Sequence, residues 1–327
     1  MAARRFRWAP LLRLAIGLAL IAFLSRAIGW DTLQSSLIPL RNHPGWIIAG
    51  IGLTFLALLV GVIRWHVLLR TLGLPTPFGR TFQGYFIGQF FNAFLFGACG
   101  GDLVRALVAA QDHPEQRPEA VTSVFLDRAI GLVITLLFGC GMLLSRFQRF
   151  AGDAEARPAL FLMGIFLLAT IALLALFFSR NLFDRIPWLK QWEQRGKAGA
   201  LIRRVYDALF LFRRNARHLL FPAVLSLANL LLLAAATAAL ARALEISIPF
   251  VDLLTIFPVI TVLAAIPLTP GSLGIREGLY IQLLHPLGIT AAPALMLSLL
   301  TYLSATVWSL FGAPFFLFQR ARVPPQP

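Results

Sequence analysis

The sequence predicts an all-α, polytopic membrane helix bundle, and three observations carry that prediction. Of its 327 residues 58% are hydrophobic and only 13% charged, where an ordinary soluble domain has roughly 25% charged residues. The apolar residues fall into runs suited to a hydrocarbon core of about 30 Å, which takes roughly 20 residues of helix. The basic residues, 29 Lys and Arg against 14 Asp and Glu, sit in the gaps between those runs, as in cytoplasmic loops of membrane proteins. The net charge of +15 is therefore read as a membrane signature. Nucleic acid is not expected as a partner, since no groove-reading or base-stacking module is visible. Residues 1–327 are expected to form a single membrane domain.

Six full spans follow along the chain. Arg4, Arg5 and Arg7 precede an apolar run from Leu14 to Leu24. That pattern suits either a signal peptide or a first helix, and Arg26 just beyond it makes a poor cleavage site, so an uncleaved helix is expected. Trp46 to Ile63 is the second span, closed by Arg64 and Trp65. Val124 to Leu144, Ala159 to Phe178, Leu219 to Leu240 and Ala291 to Phe318 are the third to sixth.

Two apolar segments are interrupted. Thr81 to Ala110 carries Gln83, Gln89, Asn92 and the run Gly97 to Asp102; Phe250 to Leu284 carries Pro258, Pro267, Pro270, Gly271, Gly274, Arg276 and Glu277. An unsatisfied backbone in hydrocarbon costs several kcal/mol, so such breaks survive only when buried in protein or lining a wet cavity. Two re-entrant hairpins are expected; a pair of kinked helices is the alternative. With this topology twenty basic residues fall on the side of the termini against seven opposite. The positive-inside bias then places both termini in the cytoplasm. The hairpins would enter from opposite sides, giving possible inverted halves, 1–145 and 159–318. The basic connection 180–217 is too polar to span. Leu201, Val205, Leu209 and Phe212 recur in it at helical spacing, which suits a helix on an anionic leaflet or a solvated loop equally.

Ionisable residues within apolar sequence are expensive and mark candidate sites. The first cluster is Gly100, Gly101, Asp102 and Arg105. Asp102 and Arg105 share a helix face and could neutralise one another. Open N–H groups of the glycines beside an arginine could hold a phosphate; a plain helix start whose aspartate complements the dipole is the other reading. The second cluster is Gly271, Gly274, Arg276 and Glu277, read as a binding site or as a tight turn with a solvated ion pair. Asn92 and Arg128 are secondary candidates; Asp127 and Arg128 at the start of the third span make a weaker case, because snorkelling to the interface also accounts for Arg128. Gly84 and Gly88 read as close helix packing. Cys99 and Cys140 lie in apolar stretches, the five histidines have no metal-ligand spacing, and no nucleophile-elbow, P-loop or HExxH pattern occurs, so no metal, cofactor or catalytic residue is expected.

The order Arg64-Trp65, then Gln89 to Asn92, GGDLVRA at Gly100 to Ala106, VFLDR at Val124 to Arg128 and PLTPGSLGIREG at Pro267 to Gly278 resembles the lysylphosphatidylglycerol synthase transmembrane-region family. The resemblance spans Ala9 to Arg322. It implies the fold of the membrane half of multiple-peptide-resistance factors and a flippase-like role, with no aminoacyl transfer, which in those factors belongs to a separate soluble domain. The carry-over reaches Asp102 and Arg105 in the first motif and Arg276 and Glu277 in the second. Leu95 to Cys99 departs from the commoner wording, where a proline is often seen. The expected function is a translocase for an anionic or glycosylated lipid, with Arg105 and Arg276 meeting a phosphate and Asp102 and Glu277 setting their geometry. An integral-membrane lipid-modifying transferase and a scaffold for a glycosyltransferase or lipid-modifying partner are the alternatives.

Overall fold

The computed structural model describes residues 35, 38–94, 100–178, 217–265 and 272–320, and within them every regular element is a helix. The first expected span, the basic connection up to residue 216, Cys99 and the stretch 266–271 with Gly271 lie outside the described residues. The main helices are α1 (Pro44–Thr71), α2 (Phe78–Phe94), α3 (Gly100–Asp112), α4 (Arg117–Ser145), α5 (Arg157–Phe178), α6 (Arg217–Ala243), α7 (Phe250–Ala264), α8 (Ile275–Leu284), α9 (Ala291–Ser309) and α10 (Gly312–Arg320). Among the described residues four helical stretches are long and apolar enough to cross a membrane: Pro44–Thr71, Pro114–Ser145, His218–Ala243 and Ala291–Phe318. Arg157–Ala172 and Phe250–Ala264 are apolar but shorter.

Two of these boundaries differ from expectation. The second span does not close at Arg64 but runs on to Thr71, because Arg64 is paired inside the bundle and need not reach an interface. The last one is two helices. Pro314 has no N–H to give the Leu310 carbonyl, which takes the Ala313 N–H at 3.1 Å instead, and the missing bond breaks the helix. The break lets Gly312 lie against the Phe86 carbonyl, where no side chain fits.

The centre of the bundle is the α1–α6 pair, the most extensive helix contact in the fold. Gly50 admits the side chain of Leu240 there, and the Asn229 amide donates to the Ala57 carbonyl at 2.6 Å. Around this pair the two interrupted segments fold into helical hairpins. In the first, Arg80 at the start of α2 meets Asp112 at the end of α3 in two hydrogen bonds of 2.7 and 2.8 Å, so both outer ends lie together beside the end of α1. In the second, Asp252 at the start of α7 binds Arg149 at 2.9 Å and His285 after α8 binds Asp153 at 3.0 Å. Its outer ends lie together beside the far end of α4, so the hairpins point at one another from opposite ends of the bundle. Each has its own core: Trp65, Leu68, Leu69 and Phe86 by the first, Met163, Ile256, Tyr280 and Leu295 by the second.

The arms of the first hairpin nearly touch. A Cβ on Gly101 would sit 1.9 Å from the Gly88 carbonyl, which bears out the packing role read for the Gly84–Gly88 pair. Gly101→Val is expected to lower stability by about 3 kcal/mol through overpacking. Gly52→Ala, which meets nothing within 4 Å, should leave it unchanged or raise it, because alanine is the better helix former. Thermal melts of the two variants in detergent check this.

Outside the spans, the hydrogen bond to His285 holds the Asp153 carboxyl below the usual carboxylate range, and the same bond raises the imidazole above its ordinary value. The pair's contribution is present between the two ordinary values. It is lost as pH rises through the raised value of His285, and as pH falls through the lowered value of Asp153. A spin label at Ala154 is therefore expected to gain mobility on the alkaline side, and His285→Gln to remove that step.

Candidate functional site

Between the hairpin tips lies a cavity of about 450 Å³. Its wall includes four guanidiniums, those of Arg64, Arg105, Arg128 and Arg276, set among the apolar helices that surround it. A charge in hydrocarbon is costly unless paired, and each arginine is held differently.

Asp127, in the first half of α4, is the shared partner on one side. Its Oδ1 accepts from Arg64 Nε of α1 at 2.7 Å and its Oδ2 from Arg105 Nη2 of α3 at 2.6 Å. Arg64 also donates to Ser226 Oγ of α6 at 2.9 Å. All three charged side chains are at most 10% exposed. The Arg105 guanidinium lies 4.4 Å from the Trp65 ring and 5.1 Å from that of Tyr85, so cation–π attraction supplements its single carboxylate bond. Trp65 is held in turn by its indole N–H, which donates to Ser123 Oγ at 3.0 Å.

On the other side Gly274 turns the chain into α8 at φ +85°, a left-handed conformation suited to glycine. Its N–H donates to the fully buried Glu277, whose carboxylate also binds Arg276 and accepts from Ser298 Oγ of α9 at 3.1 Å. Arg276 donates to the same hydroxyl at 3.1 Å and lies 4.6 Å from the Tyr302 ring. The Tyr302 hydroxyl donates to the Ala93 carbonyl at the tip of the first hairpin, at 3.2 Å. One tyrosine thus joins the two tips.

Over almost the whole chain, residues 11–312, the sequence matches the family model of the lysylphosphatidylglycerol synthase TM region. The chain belongs to that family. No curated relative matches it.

In this lysylphosphatidylglycerol synthase TM-region protein Asp102 and Arg105 of the first cluster and Arg276 of the second line one cavity, but the first cluster lacks the internal pairing read from spacing. Arg105 pairs with Asp127, not Asp102. Asp102 instead faces Arg128 at 3.7 Å, beyond hydrogen-bond reach. The Gly101 N–H is not open to a phosphate, because Asn92 Oδ1 accepts it at 2.8 Å. Gly100 and Gly101 are buried packing positions. Glu277 and Arg276 are paired as expected, though Glu277 is wholly buried rather than in a solvated turn. Spacing missed Arg64, Ser298 and Tyr302 and gave Asp127 only a secondary place beside Arg128. The available signal was opposite charges in separate apolar spans, Arg64 in one and Asp127 in another, each without an opposite charge three or four residues away on its own helix.

Asp127→Ala is expected to be the most damaging single change at the site. It leaves two buried guanidiniums without their counter-charge, a loss of about 3–5 kcal/mol. Arg64→Met leaves one guanidinium on one carboxylate and should cost clearly less. Unfolding in detergent, with protein yield from membranes as a second readout, checks the order.

Proposed function

We propose that this protein is a lipid translocase whose cavity carries an anionic or hydroxyl-bearing head group across the membrane while the acyl chains stay in lipid. The observation that supports it is the cavity itself, a partly open, guanidinium-lined space between the inner ends of the hairpin arms in an apolar bundle. Arms of 10 to 17 residues reach about 15–26 Å at 1.5 Å per residue, short of a 30 Å core. The hairpins are accordingly proposed to be re-entrant and to form the facing elements of inverted halves. With Arg64, Arg105 and Arg276 set aside because they line the cavity, the remaining basic residues divide 18 to 6, so both termini and the connection 180–217 lie in the cytoplasm and Asp153 outside.

In this reading the phosphate meets the guanidiniums that line the cavity, Arg276 from one hairpin and Arg105 from the other. Asp127 and Glu277 hold those arginines in place. Reconstituted vesicles are expected to move fluorescent phospholipid between leaflets. Changing Arg105 and Arg276 together to Ala should slow that movement at least tenfold at matched incorporation. Wild-type rates in the double variant would overturn the head-group role and favour a scaffold for a lipid-modifying enzyme. Conversion of a lipid-linked substrate by the purified protein in detergent would favour a transferase.

A further inference from the structure

Away from the cavity, two more guanidiniums converge on one carboxylate. At the outer end of the second hairpin Asp252, at the start of α7, is 0% exposed and faces Arg146 and Arg149 from the end of α4. Its Oδ2 accepts from Arg149 Nη1 at 2.9 Å, while Arg146 Nε stands 3.6 Å from Oδ1, beyond hydrogen-bond reach. Among the described residues that oxygen has no hydrogen-bond donor, so Arg146 is held to it by charge alone and can turn to a second anion. Unlike the carboxylate, the arginines are open: Arg146 is 36% exposed and Arg149 44%. Two positive charges meet one negative charge, and each guanidinium has five N–H donors to offer. The other carboxylates of this end act elsewhere, Asp153 accepting from His285 and Glu155 raising the same imidazole.

Depth and surroundings narrow what the second anion is. Arg146 caps α4 at the end of a stretch able to span, Pro114–Ser145, and so stands where a span leaves the hydrocarbon for the head groups. Large apolar side chains lie open beside the charges, Leu144 and Phe147 around Arg146, Phe250 and Val251 next to Asp252. A soluble anion gains nothing from them. A phospholipid gains twice, because its chains cover apolar surface and its phosphate accepts parallel N–H bonds from the planar guanidiniums.

We propose that Arg146 and Arg149 hold the phosphate of one anionic phospholipid from the leaflet at this end of the bundle, at a site separate from the cavity. With the lipid bound, the two arginines, Asp252 and the phosphate sum to zero charge, and the end of α4 is tied to the start of α7. The site does not depend on the translocation reading. It is tested in full-length protein with Cys99→Ala and Cys140→Ala, carrying a bimane on Gln148→Cys, an exposed position between the arginines that does not line the cavity. The protein is reconstituted with phosphatidylglycerol or phosphatidylcholine bearing a nitroxide high on one chain. Phosphatidylglycerol is expected to quench the label at a mole fraction at least threefold lower. Arg146→Gln with Arg149→Gln should abolish that preference. Because this pair strands the buried Asp252, it is also combined with Asp252→Asn, with the same expected result. Arg146→Lys with Arg149→Lys keeps the charge without the planar fork and should retain less than half of the preference. Equal quenching by the two lipids in the wild-type site would overturn the proposal, as would a preference that survives in the Gln variants. Full preference in the Lys pair would reduce the site to diffuse attraction by a basic surface. Loss of the preference on adding inorganic phosphate at constant ionic strength would assign the arginines to a soluble anion and overturn the lipid.

Discussion

One carboxylate, that of Asp127, fixes the position of α1, α3 and α4 relative to one another. It can serve Arg64 and Arg105 only if those helices come within side-chain reach at the same depth, and Ser226 adds α6 through Arg64. In a membrane bundle apolar packing alone gives little preference for one depth over another, because lipid tails solvate Leu as well as a neighbouring helix does. A buried, three-membered ion cluster does give one, since sliding any helix by a turn would strand a charge. The small residues then follow. Gly131 has to leave room beside the Arg64 guanidinium, 3.1 Å from where a Cβ would stand.

The cavity is a consequence of the helix breaks. A continuous helix satisfies its own backbone and would fill the centre of the bundle with side chains. Where the two hairpins stop short, polar side chains take over the backbone groups: Asn92 for the Gly101 N–H, Glu277 for the Gly274 N–H, Ser272 for the Ala264 carbonyl, and Tyr302 for the Ala93 carbonyl. Those residues line or adjoin the opening, so the groups that make the breaks tolerable also make the cavity polar.

The helical class, most span positions and both interrupted segments were legible in the sequence, because apolar run length and Gly or Pro interruption are local properties. The pairing of charges was not. Arg64 looked like the end of a span because a basic residue after Ile63 matches an interfacial arginine, and Asp127 looked interfacial because Arg128 beside it can snorkel. Asp102 and Arg105, three apart on one helix, satisfied a local rule that a partner from α4 overrode. The split of the last span at Leu310–Phe311 was carried by Gly312 and Pro314, which a hydropathy window averages away.

The two hairpins solve the same electrostatic problem with the same parts. Arg105 has a carboxylate and the faces of Trp65 and Tyr85; Arg276 has a carboxylate, a serine hydroxyl and the face of Tyr302. An aromatic face attracts a guanidinium by roughly 2 kcal/mol when both are desolvated, and it does so without cancelling the charge. A second carboxylate at either place would stabilise the empty bundle more strongly, but it would also remove the positive potential from the cavity wall. Carboxylate on one side and ring on the other keeps each arginine ordered and still electropositive, and Arg128, which among the described residues has neither a ring nor a close carboxylate, is the least compensated charge of the cavity wall. Under the proposed function, an anion entering the cavity would meet a field already organised by buried groups that need not move to receive it.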